Sequence, residues 1–311
     1  MENTIPWVEK YRPNSFDNIV LGEINQSIFN NILEKNYFPN MLFYGPPGTG
    51  KTTSIINLID SYYKNNNVKN YKSSIIHLNA SDERGIDTIR NQILQFVYSN
   101  GLYINNLKFV ILDEVDYMTK NAQQALKYLL QDNFTNVRFC LICNYISKID
   151  ESLKNEFICI RFNQLPREKI YTFLKNIASK EGIEINDETI YKILSKFNSD
   201  IRSMINYLQL NQNTDLENMN ILQKTIYDEM NQFFILNKDY NTNIDYLHNI
   251  SITYNTNKIE IIKGYMNYLI EYQHQYIKPE LLNNVETLIH NNSSVEHCLM
   301  YFNFNILNFI V

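Results

Sequence analysis

The 311-residue sequence predicts an α/β fold, a parallel sheet domain followed by two all-helical segments, and three observations carry that prediction. Short apolar runs ending at Tyr44, Asn79, Asp113, Asn144 and Phe162 are separated by helical patterns such as TTSIINLIDSYY and AQQALKYLL. Strands alternating with helices imply a parallel sheet covered on both faces. A glycine-rich stretch, GPPGTGKT, follows the first of these runs and opens a helical pattern. Beyond NQLPREKI the chain carries helical periodicity alone.

The sheet domain is expected over residues 1–163. IYTFLKNIASKEG, NDETIYKILSKF and SDIRSMINYLQ predict a small helical unit over 164–224. The remainder, 225–311, is rich in Tyr, Phe, Ile and Leu and predicts a second helical domain, where aromatic residues at helical spacing are expected to be core. Asn-rich pieces such as KNNNVKNYK and LNQNTDLENMN read as surface loops. No internal repeat is evident.

With 44% hydrophobic and 20% charged residues the chain reads as globular. No apolar stretch is long enough to span a membrane, and MENTIPWVEKYRP carries charge where a secretory signal needs an apolar core, so an intracellular site without membrane partners is expected. A formal charge of −5 argues against nucleic-acid binding over the whole surface but leaves room for a local basic stripe. The four cysteines show no disulfide framework. The close pair, Cys140 and Cys143 in RFCLICN, is three residues apart on a strand, which points the two thiols to opposite faces.

GPPGTGKT fits the phosphate-loop pattern G-x-x-x-x-G-K-[ST] in a strand-to-helix context. Gly45, Pro46, Pro47, Gly48, Thr49 and Gly50 would close backbone N–H groups round the phosphates of ATP at a helix N-terminus, with Thr53 next in the turn. Lys51 would reach the terminal phosphates and Thr52 would ligate Mg²⁺. The second half of such a site is an acidic residue at the end of a neighbouring strand. FVILDEVD supplies Asp113 for the metal and Glu114 to orient or deprotonate an attacking water, a pairing that suggests hydrolysis. Asn144, after RFCLIC, stands where an amide could hold the water or γ-phosphate, although Asn at a strand end is also a common turn residue. Arg202, on the helix predicted for DIRSMINYLQ, could report on the phosphate when the small helical unit closes; taken alone it reads as a solvated helix charge.

One further stretch, NASDERGIDTIRNQI, keeps Arg84 and Arg90 around a glycine in a net acidic chain. Pairing of Arg84 with Asp82 or Glu83 is the bland explanation, and surface pairs of that kind contribute little.

In order, PWVEKYRP, GPPGTGKTT, NASDERGIDTIR, LDEVD, CNYISKI and DIRSMIN resemble the small subunits of replication factor C, the sliding-clamp loader of eukaryotes, archaea and some large DNA viruses. The likeness runs over about residues 5–210. It implies an AAA+ P-loop NTPase module, a small helical lid and a helical collar that joins five related subunits in a ring. It further implies that such a ring, a hetero-pentamer of clamp loader subunits, binds ATP, opens a sliding clamp and hydrolyses ATP to leave the clamp on primer-template DNA. By the same resemblance Val8, Tyr11, Arg12 and Pro13 line the adenine side of the nucleotide, while Arg84, Arg90 and Lys148 face the DNA phosphates inside the ring. Phosphate contacts carry no sequence preference, which suits a loader that works at any junction.

The resemblance breaks at one motif. Where the family has Ser-Arg-Cys, whose arginine reaches a neighbour's γ-phosphate, this chain has Asn155, Glu156 and Phe157. A lysine at 154 cannot reproduce a guanidinium fork one position away. The family's two arginines in the AQQALKYLL segment are likewise Lys127 and Tyr128. Both departures imply one weakened or specialised subunit boundary, as at the end of an open ring or beside a subunit with a dead site. Phe96 and Tyr98 stand where the family docks on its clamp, and either could instead be core. Two competing readings are a nucleotide-binding scaffold subunit without turnover and another DNA-acting AAA+ enzyme, such as a branch-migration motor. The latter should end in a winged helix, which the helical tail from 225 does not suggest. Localisation follows the genome: a nucleus in a eukaryote, or the site of viral DNA replication.

Overall fold

The computed structural model describes residues 5–80, 86–99, 107–131, 134–212, 222, 224–237, 239–290 and 294–307, and the chain falls into two compact units, 1–217 and 218–311. In the first unit β1 (Met41–Tyr44), β2 (Ile75–Asn79), β3 (Lys108–Asp113), β4 (Val137–Cys143) and β5 (Ile158–Arg161) form a wholly parallel sheet in the order β2-β3-β4-β1-β5.

The central strands β1, β3 and β4 alternate between two cores. Met41, Phe43, Phe109, Ile111, Cys140 and Ile142 pack against α2 (Glu23–Glu34) and α3 (Lys51–Asn65). Leu42, Val110, Leu112, Phe139, Leu141 and Cys143 pack against α4 (Ile86–Tyr98), α5 (Lys120–Gln131) and the short α6 (Glu151–Lys154). This is the two-sided burial that an apolar parallel strand requires. It also places Cys140 and Cys143 on opposite faces, where burial pushes the Cys143 thiol up to about 12 and both remain inert. Among the described residues no three or more His, Cys, Asp or Glu side chains gather as a metal site, and no helix is long and apolar enough to cross a membrane.

The register decides where function can sit. Tyr44 lies opposite Cys143, and Asn79 opposite Asp113, so the residues that follow β1, β3 and β4 emerge side by side at one edge. Ligands of open α/β sheets bind at that carboxyl edge, where strand order reverses.

The rest of the first unit is α7 (Arg167–Lys180), α8 (Asp187–Phe197) and α9 (Ile201–Leu210), joined by buried Leu174, Ile193 and Met204. Side-chain caps start the last two: Asn186 accepts from Thr189 N–H and Asp200 from Ser203 N–H. The N-terminal helix α1 (Trp7–Lys10) lies on α9, with Trp7 N–H donating to Gln209 Oε1 at 3.0 Å.

In the second unit α10 (Lys224–Leu236), α11 (Tyr240–Thr253), α12 (Lys258–Tyr272), α13 (Pro279–His290) and α14 (Val295–Tyr301) surround Phe234, Leu247, Tyr265 and Phe302. Tyr265 is fully buried and donates its hydroxyl to Asn231 Oδ1 at 2.8 Å. Most aromatics of this segment among the described residues lie in or against that core, as helical spacing predicts, whereas Tyr272 and Phe304 are exposed.

Candidate functional site

The phosphate loop turns on left-handed glycines. Gly48 has φ +71° and Gly50 φ +85°, and a Cβ on Gly48 would collide with the carboxylate of Asp200. Only glycine satisfies both the backbone sign and the close approach. The loop delivers the chain into α3, whose first residue, Lys51, is 7% exposed. Its Nζ donates to Gly45 O (2.8 Å), Pro46 O (2.8 Å) and Asn144 Oδ1 (2.9 Å). Burial lowers the Lys51 pKa, and Asp113 opposes that shift by attraction.

Thr52 follows, and its hydroxyl donates to Asp113 Oδ2 at 2.8 Å. Burial works against ionisation of Asp113. Support from His77, whose Nε2 lies 3.9 Å away, from the Thr52 hydroxyl and from the Glu114 amide at 2.9 Å nevertheless holds its carboxyl below the usual carboxylate range. A hydroxyl and an ionised carboxylate in contact form a hard, all-oxygen pair that suits Mg²⁺. Glu114 itself sits at φ +57°, a left-handed conformation that is uncommon for glutamate and is found where function demands a particular aim.

These groups line a cavity of about 220 Å³. Val8, Tyr11, Arg12 and Pro13 close one side of it, and Arg202 of α9 enters from another. The chain places these N-terminal residues by anchors distant in sequence: Asn57 of α3 donates to Pro13 O at 2.9 Å, and Glu181 accepts from both Lys10 and Tyr11. Pro47, Thr49 and Thr53 line the cavity with Gly48, Gly50, Lys51 and Thr52, whereas Gly45 and Pro46 instead offer the carbonyls that hold Lys51. Sequence reasoning missed the apolar wall of Ile19, Val20, Phe173 and Ile205, which reads in sequence as ordinary helix and loop core.

It also missed Asp200. This residue caps α9, receives Ser203 Oγ at 2.8 Å and packs on Gly48, while Ile201 N–H donates to Gly48 O at 3.3 Å. The N-terminus of α9 is thereby fastened to the phosphate loop, and Arg202 is carried to the cavity with it. An aspartate at a predicted N-cap is the signal that was available.

Lys148, expected to face DNA phosphates, lies outside the cavity, with Nζ 5.2 Å from the ring centroids of both Tyr117 and Tyr145. Arg84 falls outside the described residues; Arg90 belongs to α4 by its backbone, and its side chain is likewise outside them. Glu156 is exposed and Phe157 is buried in the sheet core, while Lys154 pairs with Glu151 at 2.8 Å. Tyr128 projects with 67% exposure. Phe96 packs against the core, and Tyr98 is exposed with its ring edge-on to Phe134.

Comparison with known proteins agrees with the geometry. Residues 41–164 match the family model described as "ATPase family associated with various cellular activities (AAA)", a nucleotide-binding module. The chain is 38% identical over 208 residues to replication factor C subunit 3 of Schizosaccharomyces pombe, covering 67% of this chain and 60% of that protein. It is 41% identical over 211 residues to replication factor C small subunit 2 of Pyrobaculum islandicum, covering 68% and 65% respectively. Against a probable replication factor C subunit 5 of Dictyostelium discoideum the identity is 35% over 249 residues, 76% of this chain and 70% of the relative. The chain belongs to the replication factor C subunit family. Its AAA fold is that of the family, with a five-stranded parallel sheet and a helical C-terminal region. The match spans about 60–65% of the length of the first two replication factor C relatives.

Proposed function

We propose that this chain is an ATP-hydrolysing subunit of a clamp loader, working in a hetero-pentameric ring that opens a sliding clamp and places it on primer-template DNA. The observation that carries the reading is the pinned lysine: Lys51 held between two phosphate-loop carbonyls and Asn144, beside the Thr52–Asp113 pair, in a cavity that Arg202 enters. Thr52 and Asp113 would hold Mg²⁺, which when bound neutralises charge on the transferring phosphoryl oxygens. Lys51, already oriented, exchanges its carbonyl partners for phosphate oxygens. Glu114 orients the attacking water from its left-handed turn, and Asn144, whose Oδ1 is committed to Lys51, keeps its amide N–H groups for the water or the γ-phosphate. Arg202 adds a cation from α9, so closure of the α7–α9 segment, the lid of this reading, is felt at the phosphate. Val8, Tyr11, Arg12 and Pro13 face the adenine.

Lys148, with Arg84 and Arg90, is assigned to the DNA phosphates inside the ring. The collar of residues 225–311 joins the subunits. Glu156 offers no finger to the neighbouring ATP site, and exposure of Glu156 together with the Lys154–Glu151 pair supports that assignment. The subunit works in the nucleus of a eukaryote or at a site of viral DNA replication.

The deciding experiment is ATP turnover by this chain co-assembled with the other loader subunits of its genome, with clamp and primed DNA, comparing wild type with Lys51→Ala. Turnover should fall while the complex stays assembled. Unchanged turnover would replace this reading with a scaffold that binds nucleotide without hydrolysing it.

A further inference from the structure

Two exposed tyrosines flank one lysine immediately beyond the catalytic edge of the sheet. Tyr117 is 61% exposed and ends a 3-10 turn, Val115–Tyr117, that starts directly after Glu114. Tyr145 is 59% exposed and directly follows Asn144; Lys148 ends the next 3-10 turn, Ile146–Lys148. The Lys148 ammonium lies 5.2 Å from each ring centroid, and among the described residues no carboxylate stands within ion-pair distance of it. Single exposed aromatics need no explanation. Two that share an unpaired cation leave π-faces and a positive charge open to solvent together.

The backbone beneath them is fixed. Tyr145 N–H donates to Oδ2 of the buried Asp116 at 3.3 Å, and the carbonyl of Lys148 receives Nε2 of buried Gln123 at 3.1 Å. Gln123 closes the turn by accepting Asp150 N–H at 2.8 Å. A partner would therefore meet a surface already ordered, which lowers the entropy lost on binding.

We propose that Tyr117, Tyr145 and Lys148 form a seat for an unpaired nucleobase and its phosphate, the base stacking on a tyrosine face and the phosphate drawing the Lys148 ammonium from the rings. The inference rests on the nucleic-acid assignment of Lys148 above and adds a stacking site to it. Aromatic faces beside a cation are the two components of single-strand binding, and stacking tolerates any base. A seat of this kind takes a single-stranded or frayed nucleotide, not a paired one, since a base inside a duplex has its faces covered. Tyr145 directly follows Asn144 and Tyr117 lies three residues after Glu114, so occupancy of the seat is in position to be felt at the ATP site.

The test uses the full chain and two fluorescent 12-mers of equal charge, oligothymidine and an oligomer of abasic spacers, titrated at several salt concentrations. Tyr117→Ala with Tyr145→Ala should weaken oligothymidine binding by about 5- to 100-fold and leave the abasic oligomer unaffected. Tyr117→Phe with Tyr145→Phe should bind as wild type, and its melting curve serves as a folding control. Lys148→Ala should weaken both oligomers and reduce the salt slope by about 0.7. Equal losses on both oligomers in the alanine pair, or no loss on either, would overturn the seat; the latter would leave the tyrosines to a protein partner. If wild type binds neither oligomer at low salt, the nucleic-acid assignment itself fails and takes the seat with it. Loss in Lys148→Ala without any tyrosine effect keeps the phosphate contact and removes the stacking.

Discussion

Lys51 Nζ donates to Asn144 Oδ1 across 2.9 Å, joining the first residue of α3 to the residue that follows β4, 93 positions away. The lysine is thus aimed before any phosphate arrives, and the asparagine loses its acceptor to it. Asn144→Ala should leave nucleotide affinity within a few-fold and lower turnover of the assembled complex by about 10² to 10³, the usual consequence of removing one preorganised transition-state donor. Steady-state kcat and KM, measured together, separate this from a binding defect.

Gly48→Ala places a methyl group against Asp200 in a backbone that disfavours it. We expect a loss of at least about 1 kcal/mol in denaturant unfolding, and more from the collision, together with loss of nucleotide binding. Asp200→Ala removes the collision but also the α9 cap, at about 1 kcal/mol. The double variant should be more stable than the sum of the single effects predicts, by about 0.5–3 kcal/mol, because the two residues are in contact.

Glu181 anchors the N-terminal segment through Lys10 and Tyr11, whose hydrogen bonds, Lys10 first, hold its carboxyl below the ordinary glutamate value. A depressed carboxylate contributes stability above its unfolded pKa and loses it as pH falls through the folded value. Trp7 is the sole tryptophan of the chain and is buried against α9, so its fluorescence reports the anchor. Acid titration should give a local red shift below the ordinary carboxylate range before global unfolding. Glu181→Gln should lack that transition and show partial release already at neutral pH.

Glu156 is exposed and makes no side-chain ion pair among the described residues, so Glu156→Arg should leave the melting temperature of the chain unchanged. In the assembled loader, turnover should also stay unchanged if the adjoining position carries no competent ATP site. A clear rise, toward the 10³- to 10⁵-fold that an arginine finger supplies elsewhere, would show a competent but unassisted neighbour.

Much of this site was legible in the linear sequence because its chemistry is local. The phosphate loop lies within eight consecutive residues, and its strand-to-helix context is a short-range pattern; the same holds for Asp113 and Glu114 at the end of an apolar run. Alternation of apolar runs with helical patterns was enough for the parallel sheet, and three-residue spacing was enough to part Cys140 from Cys143. What the tertiary structure alone decided are contacts between residues far apart in the chain. Asp200 meets Gly48, Glu181 meets Lys10, and Tyr117 shares Lys148 with Tyr145. No periodicity records such pairs, since they depend on how a parallel sheet registers its strand ends, how the end of α7 meets α1, and how α9 docks on a loop more than 150 residues before it. Local sequence specified which groups could bind a phosphate; packing over long separations specified which of them are held, aimed and left open.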